Sequence, residues 1–121
     1  MEGRLKRVCA SEELRPGASI RFPLEPPRRF ADEGFAHRAA DGSLRAWVNV
    51  CPHRAQPIDL GDGRLFNALG QIECQAHGAR FDPEVGICVA GPCEAMRLTP
   101  VPILEEDGGI WLRVPATGDD V

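Results

Sequence analysis

Apolar residues in this chain recur mainly at every second position, in short runs separated by glycine and proline. Residues 43–50 (SLRAWVNV) and 110–114 (IWLRV) alternate in this way, which is the period of a strand with one buried face. No stretch longer than about ten residues repeats its apolar positions at the 3.6-residue period of a helix. The pattern therefore predicts an all-β fold.

Turn sequences divide the chain into antiparallel hairpins. Residues 40–42 (ADG) and 107–109 (DGG) are typical hairpin turns, and residues 82–86 (DPEVG) form a further turn. We expect strands at residues 5–10, 20–24, 34–39, 43–50, 70–74, 79–82, 87–90, 97–104 and 110–114.

Length and charge narrow the functional classes. A chain of 121 residues is expected to form one domain with a modest core. It has no apolar run long enough for a membrane span and no signal-like stretch behind its first charges. Lys and Arg total 14 against 18 Asp and Glu, and no basic cluster indicates a nucleic-acid surface. We expect a cytoplasmic monomer that binds neither membrane nor nucleic acid.

The cysteine count points to metal or redox chemistry. Five cysteines are an odd number for a secreted disulfide scaffold, and no signal sequence supports secretion. Two of them are each followed closely by a histidine, in Cys51-Pro52-His53 and in Cys74-Gln75-Ala76-His77. Both pairs come at the ends of predicted strands, in loops.

Each loop contains one Cys and one His, and this combination helps to distinguish a zinc site from an iron-sulfur site. Tetrahedral structural zinc usually keeps like ligands together, as in Cys-x-x-Cys knuckles, although two Cys and two His could hold it. A 2Fe-2S cluster with one iron on two cysteines and the other on two histidines needs one ligand of each type from each loop. The spacing favours the iron-sulfur cluster and leaves zinc as an alternative.

With Phe81-Asp82, Gly86 and Gly91-Pro92 downstream, these two motifs resemble the ligand pattern of Rieske iron-sulfur proteins, across roughly residues 34–112. The resemblance implies a Rieske 2Fe-2S cluster as cofactor. Its inner iron would be held by the cysteines and its outer iron by the histidines: Cys51, Cys74, His53 and His77.

The resemblance also implies a set of residues around the cluster. Gly78 would let the second ligand loop approach the cluster, and Gly91 and Pro92 would form a covering loop. The interval between His53 and Cys74 is a few residues longer than in typical ferredoxins, and we assign the excess to residues 61–69.

The fold implied by the resemblance is an antiparallel β-sandwich base with a small cluster-binding subdomain inserted between its strands. We expect a single Rieske domain over residues 1–121. The base would comprise about 1–49 and 95–116, the subdomain about 50–94, and residues 115–121 would form a disordered tail.

The same resemblance predicts a low reduction potential. Respiratory members carry an extra disulfide and two hydroxyl donors beside the cluster, which raise the potential. Here Gln56 and Ala76 replace the disulfide cysteines, and Ala79 and Phe81 replace the Ser and Tyr donors. We therefore expect a potential near the low end of the Rieske range of roughly −150 to +300 mV.

These features imply a one-electron carrier, a soluble Rieske ferredoxin. It would take electrons from a flavin-containing NAD(P)H reductase and pass them to a Rieske non-haem iron oxygenase. It would not be an enzyme, because the mononuclear iron of such oxygenases needs two histidines and a carboxylate, and only His37 remains. The alternatives are an accessory subunit or redox sensor of an enzyme complex and, more remotely, a structural zinc protein.

The remaining histidine and cysteines have simpler interpretations. We interpret His37 as a surface histidine and Cys9 as a small buried apolar residue. Cys88 and Cys93 flank the covering loop, so they form either a disulfide or redox pair or simply pack beneath it.

Overall fold

Short antiparallel strands make up most of the computed structural model, which describes residues 4–28, 31–39, 41–52, 56–59, 64–75, 78–92 and 95–114. In chain order the strands are β1 (Arg4–Ala10), β2 (Ser19–Arg28), β3 (Ala31–Arg38), β4 (Leu44–Val48), β5 (Ile72–Glu73), β6 (Arg80–Phe81), β7 (Cys88–Ala90), β8 (Ile103–Glu106) and β9 (Gly109–Val114). A 3-10 helix at Ser11–Glu13 follows β1. The described part of the chain contains no helix of the length and hydrophobicity that crossing a bilayer requires.

The strands form three antiparallel sheets of three strands each within the described residues. The outer base sheet has the order β1-β9-β8, and the inner base sheet has the order β2-β3-β4. The third, which we call the small sheet, has the order β5-β6-β7 and comes between β4 and β8 in the sequence. The all-β prediction is confirmed.

The first core fills the space between the two base sheets. Ile110, Leu112 and Val114 of β9 contribute to it, as their alternation predicts. Ala36 and Ala46 meet them from the inner base sheet. The arrangement is a sheet-on-sheet sandwich, in which each strand buries one face.

The second core lies on the opposite face of the inner base sheet. Phe35 and Trp47 point there, because neighbouring residues in a strand face opposite ways. They pack with Ile72 and Phe81 of the small sheet and with Leu98, all of them buried. The inner base sheet is therefore a middle layer between two cores, and it joins the base to the small sheet.

The predicted strand at residues 97–104 is only partly formed. Its regular part begins at β8, while upstream it makes isolated bridges, between Ile87 and Arg97 and between Trp47 and Pro100. Pro100 and Pro102 lack the N–H groups that a continuous ladder requires. The remaining predicted strands are present, with ends shifted by a few residues. The tail at residues 115–121 lies outside the described residues.

The interpretation of His37 as a surface residue is wrong. It lies on β3 with only 4% of its surface exposed, and its ring contacts those of Phe35 and Phe66. Trp47 Nε1–H donates to His37 Nε2 at 3.2 Å, and the ring also interacts with the backbone of Pro83. The error arises because β3 is covered on both faces, which alternation along a single strand does not indicate.

Its hydrogen bonds fix the protonation of His37. Because Nε2 accepts from Trp47, the neutral ring carries its hydrogen on Nδ1. Burial disfavours the charged form and lowers the pKa of His37 from 6.5 to about 4. The neutral ring therefore joins β3 to β4 through its hydrogen bond with Trp47.

This pKa predicts an acid-dependent loss of stability. As pH falls below 6.5 the unfolded chain binds a proton at His37, but the folded protein does not until about pH 4. The free energy of unfolding should therefore decrease by up to about 3 kcal/mol across this window because of His37 alone. Urea unfolding followed by tryptophan fluorescence should show this steeper pH dependence in the parent protein than in His37→Gln, which shares every other titratable group. Parallel curves would contradict the prediction.

Candidate metal centre

The first candidate ligand loop, residues 51–59, begins directly after the inner base sheet. Cys51 follows β4 by three residues, and 1% of its surface is exposed. Its backbone N–H donates to the carbonyl of Gln56 at 2.9 Å, so residue 56 lies beside the start of the loop. The chain thus leaves a buried strand and enters the loop at a cysteine that remains in the core.

The second candidate ligand loop, residues 74–79, connects β5 with β6. Cys74 is fully buried, its N–H donates to the Ala79 carbonyl at 2.8 Å, and the N–H of Gly78 donates back to the Cys74 carbonyl at 2.9 Å. Gly78 has φ +74°, a left-handed conformation that side chains disfavour. The glycine is therefore needed to close this loop.

A backbone hydrogen bond joins the two loops. The N–H of Gln75 donates to the carbonyl of Ile58 at 2.9 Å, beside Cys74 in one loop and near the end of the other. Cys51 and Cys74 both belong to the second core, and both carry thiols. Two buried thiols from adjacent, mutually bonded loops fit the cysteine half of a Rieske ligand set, because thiolates are the ligands of iron-sulfur clusters.

The histidine half of the predicted set is not described. His53 and His77 lie outside the described residues, as do Ala76 and residues 61–63 of the longer segment. Within the ranges that the structure does describe, no group of three or more His, Cys, Asp or Glu could hold a metal ion. The assignment of all four ligands therefore stays a prediction, of which Cys51 and Cys74 meet the structural requirement of burial.

The predicted covering loop lies against the second ligand loop. A Cβ atom on Gly91 would come within 2.9 Å of the Ala79 Cα and 3.0 Å of the Gly78 carbonyl oxygen. Ala79 and Phe81 are fully buried beneath it, and Pro92 is exposed. The contact distance explains why a glycine occupies position 91.

A buried polar network lies beside the first ligand loop, formed by residues that the sequence pattern does not single out. Asp59 is 0% exposed, and its carboxylate accepts hydrogen bonds from Arg21 Nη1 at 3.1 Å and from Asn49 Nδ2 at 3.2 Å. Asn49 Oδ1 in turn accepts from the N–H of Ile58 at 2.9 Å. A signal existed, since Asn49 and Asp59 each interrupt an apolar stretch, but the pairing of such residues across a loop has no sequence period.

The other cysteines separate into two chemical states. Cys9 is a buried thiol, as expected, and burial raises its pKa. Cys88 is disulfide-bonded, which favours the disulfide alternative over simple packing. Cys93 lies outside the described residues.

Comparison with protein families gives one decisive match. The model of the Rieske [2Fe-2S] domain matches residues 4–105, which is most of the chain. This chain belongs to the Rieske [2Fe-2S] domain family. It is therefore an electron-transfer domain whose cofactor is a 2Fe-2S cluster held by Cys and His, and the predicted Rieske fold is confirmed.

Similar proteins include both ferredoxins and larger enzymes. The chain is 35% identical over 81 residues to the oxidoreductase NdmD of Pseudomonas putida, a match that covers 61% of this chain but only 13% of that relative. It is 29% identical to the ferredoxin component of the p-cumate 2,3-dioxygenase system of Pseudomonas putida, covering 90% of this chain and 85% of the relative.

A solved ferredoxin structure is also similar to this chain over most of its length. The ferredoxin of carbazole 1,9a-dioxygenase from Nocardioides aromaticivorans IC177 is 27% identical to the Rieske chain, with a TM-score of 0.69. The match covers 91% of this chain and 97% of that ferredoxin. The resemblance to a Rieske ferredoxin thus extends over almost the whole described fold.

The packing of Gly91 predicts a specific defect in Gly91→Ala. Its Cβ would collide with the second ligand loop, so we expect loss of iron on purification and destabilisation by roughly 1–3 kcal/mol beyond backbone strain. Gly42→Ala is the matched control, because Gly42 has the same φ of +90° but nothing within 4 Å of its Cβ position. Iron content and unfolding midpoint should distinguish the variants. Equal behaviour of the two would mean that the contact at Gly91 is unimportant.

Proposed function

We propose that the Rieske chain is a low-potential ferredoxin, a one-electron carrier whose cluster is held by Cys51, His53, Cys74 and His77. The observation that carries the proposal is the burial of Cys51 and Cys74 in two ligand loops that hydrogen-bond to each other. When bound, the cluster supplies reversible exchange of a single electron. The chain supplies a dry thiol pair and two loops held in fixed relative positions.

The state of His37 supports a carrier over an oxygenase within these 121 residues. An oxygenase of this family would need a separate mononuclear iron held by two histidines and a carboxylate, beyond the cluster ligands. The third histidine, His37, is buried, and its Nε2 accepts a hydrogen bond from Trp47. In the neutral ring Nδ1 then carries the hydrogen, so His37 has no free lone pair for a metal.

The relatives suggest which partners would exchange electrons with it. Two similar proteins of nearly the same length are ferredoxins of dioxygenase systems. By analogy, the donor is a flavin-containing NAD(P)H reductase and the acceptor is a Rieske non-haem iron oxygenase. The chain would act as a cytoplasmic monomer.

In this view residues 50–94 form the cluster-binding subdomain and the base comprises about 1–49 and 95–116.

The low potential follows from what surrounds the second ligand loop. Ala79 and Phe81 are buried there and carry no hydroxyl that could donate to a sulfur atom. Such donors stabilise the electron-rich reduced state, so their absence lowers the potential.

A second candidate function rests on the disulfide at Cys88. A redox-sensing accessory subunit would use an exchangeable disulfide beside the covering loop, and Cys88 begins β7, which leads directly into Gly91. Electron transfer remains the better-supported function, because the family cofactor and the two buried thiols both favour it. Zinc in place of the cluster would need the same four residues but has no further observation in its favour.

The ligand assignment predicts which substitutions remove iron. Cys51→Ser, Cys74→Ser, His53→Ala and His77→Ala should each abolish or nearly abolish the cluster, because incomplete ligation exposes iron to hydrolysis. Cys9→Ser is the matched control, since it replaces another buried thiol outside the ligand loops. Iron and sulfide analysis with visible absorption measures the result. Normal iron content in His53→Ala would overturn the assignment.

The proposed potential can be tested by redox titration followed by electron paramagnetic resonance. The parent protein should give a Rieske-type signal with a potential near the low end of the range, roughly −150 mV. Restoring the missing hydroxyls in Ala79→Ser with Phe81→Tyr should raise the potential. A high potential in the parent would contradict the ferredoxin proposal, and zinc without an iron signal would support the structural zinc alternative.

A further inference from the structure

We propose that Asn49 and Asp59 form a clasp that positions both ligand loops and thereby sets the geometry of the cluster site. The inference rests on the proposed ligand role of Cys51 and Cys74. Asn49 lies two residues before Cys51, and Asp59 lies eight residues after it. Their side-chain hydrogen bond therefore joins the two ends of the first ligand loop.

Both carboxylate oxygens of Asp59 have a donor in the clasp. Asp59 Oδ1 accepts from Asn49 Nδ2 at 3.2 Å, and Asp59 Oδ2 accepts from Arg21 Nη1 at 3.1 Å. Both clasp residues are buried, with Asn49 3% exposed. The backbone N–H of Asn49 donates to the Glu33 carbonyl at 2.9 Å, so β3 and β2 anchor the clasp to the base.

The charge of Asp59 determines the orientation of Asn49. An ionised carboxylate only accepts hydrogen bonds, so the Asn49 amide must turn its Nδ2 towards Asp59. Its Oδ1 is then directed to the N–H of Ile58, from which it accepts at 2.9 Å. A neutral amide at position 59 could also donate, and it would allow Asn49 to turn over and release Ile58.

Ile58 carries this constraint to the second ligand loop. Its N–H is held by Asn49, and its carbonyl accepts from the N–H of Gln75, the residue after Cys74. One residue of the first loop is thus bonded on one side to the clasp and on the other to the second loop. The separation of Cys51 and Cys74 depends on that residue.

A buried carboxylate is costly unless it is compensated, and Arg21 provides the compensation from β2. Arg21 is partly exposed and also lies 3.8 Å from Glu33 Oε1, so its charge is shared between two carboxylates. A hydrophobic residue at position 59 would avoid the cost but would leave the Asn49 amide without its acceptor. The charge of Asp59 therefore serves to orient the Asn49 amide more than to stabilise the fold.

The test is an exchange of the two side chains. Asp59→Asn alone either leaves an amide N–H group facing another N–H donor or turns Asn49 over and breaks its bond to Ile58. We therefore expect iron release to a chelator to become roughly tenfold faster. The electron paramagnetic resonance signal of the cluster should broaden or shift. The double variant Asn49→Asp with Asp59→Asn can restore the three hydrogen bonds of the clasp described above. The carboxylate introduced at position 49 can accept from Ile58 and from the amide introduced at position 59, and the oxygen of that amide can accept from Arg21. Release rate and signal should return towards those of the parent protein.

Asn67→Ala is the matched control for a merely structural effect. Asn67 also fastens a loop through its side chain, donating to Gln71 and Glu73 and accepting from the N–H of Leu69, but this loop precedes β5 and holds no proposed ligand. It should lower the unfolding midpoint without changing the resonance signal. If Asp59→Asn does not fold, Asn49→Ala, which keeps the Arg21–Asp59 ion pair, should show the same faster release.

Two results would overturn the clasp. One is an unchanged signal and release rate in Asp59→Asn or Asn49→Ala. The other is a double variant that recovers its unfolding midpoint but not its signal. A parent protein without a cluster, or ligand variants that keep their iron, would instead refute the proposed function on which the clasp rests. The parent and Cys51→Ser proteins are therefore measured first.

Discussion

The inner base sheet is the feature on which the rest of this structure depends, because its strands β3 and β4 are buried on both faces. Phe35 and Trp47 project into the second core, while Ala36 and Ala46 project into the first. At these positions large side chains face the ligand loops and alanines face the outer base sheet. The second core, in which both candidate cysteines lie, is therefore packed against a sheet that is itself supported from its other face.

Short strands such as β5 and β6 have two residues each and could not by themselves define a rigid site. Backbone hydrogen bonds at loop positions replace the missing ladder: Cys51 to Gln56, Cys74 to Ala79 and Gln75 to Ile58. The fully buried aromatic ring of Phe81 fills the space beneath them. Burial strengthens these bonds, because water cannot compete for their donors and acceptors.

The sequence predicts the strands and both candidate cysteines well, because alternation and turn residues are local signals. It fails at His37, since a strand buried on both faces can contain a histidine bonded to Trp47 that nothing nearby in the sequence indicates. The Asn49–Asp59 pair is missed for a related reason. Each residue alone is a polar interruption of an apolar stretch, and only the closed loop brings the two together.

The two buried polar groups solve opposite electrostatic problems in the same way. His37 is held neutral by burial and is oriented by the N–H donor of Trp47, whereas Asp59 is kept beside a guanidinium and orients its neighbour by accepting only. In each case a group that can only donate, or can only accept, a hydrogen bond selects one orientation of a buried side chain. His37 is bonded to Trp47 within the inner base sheet, and Asp59 sets the first ligand loop against the base. These polar contacts therefore specify the orientation of buried side chains, while the apolar cores supply most of the attraction.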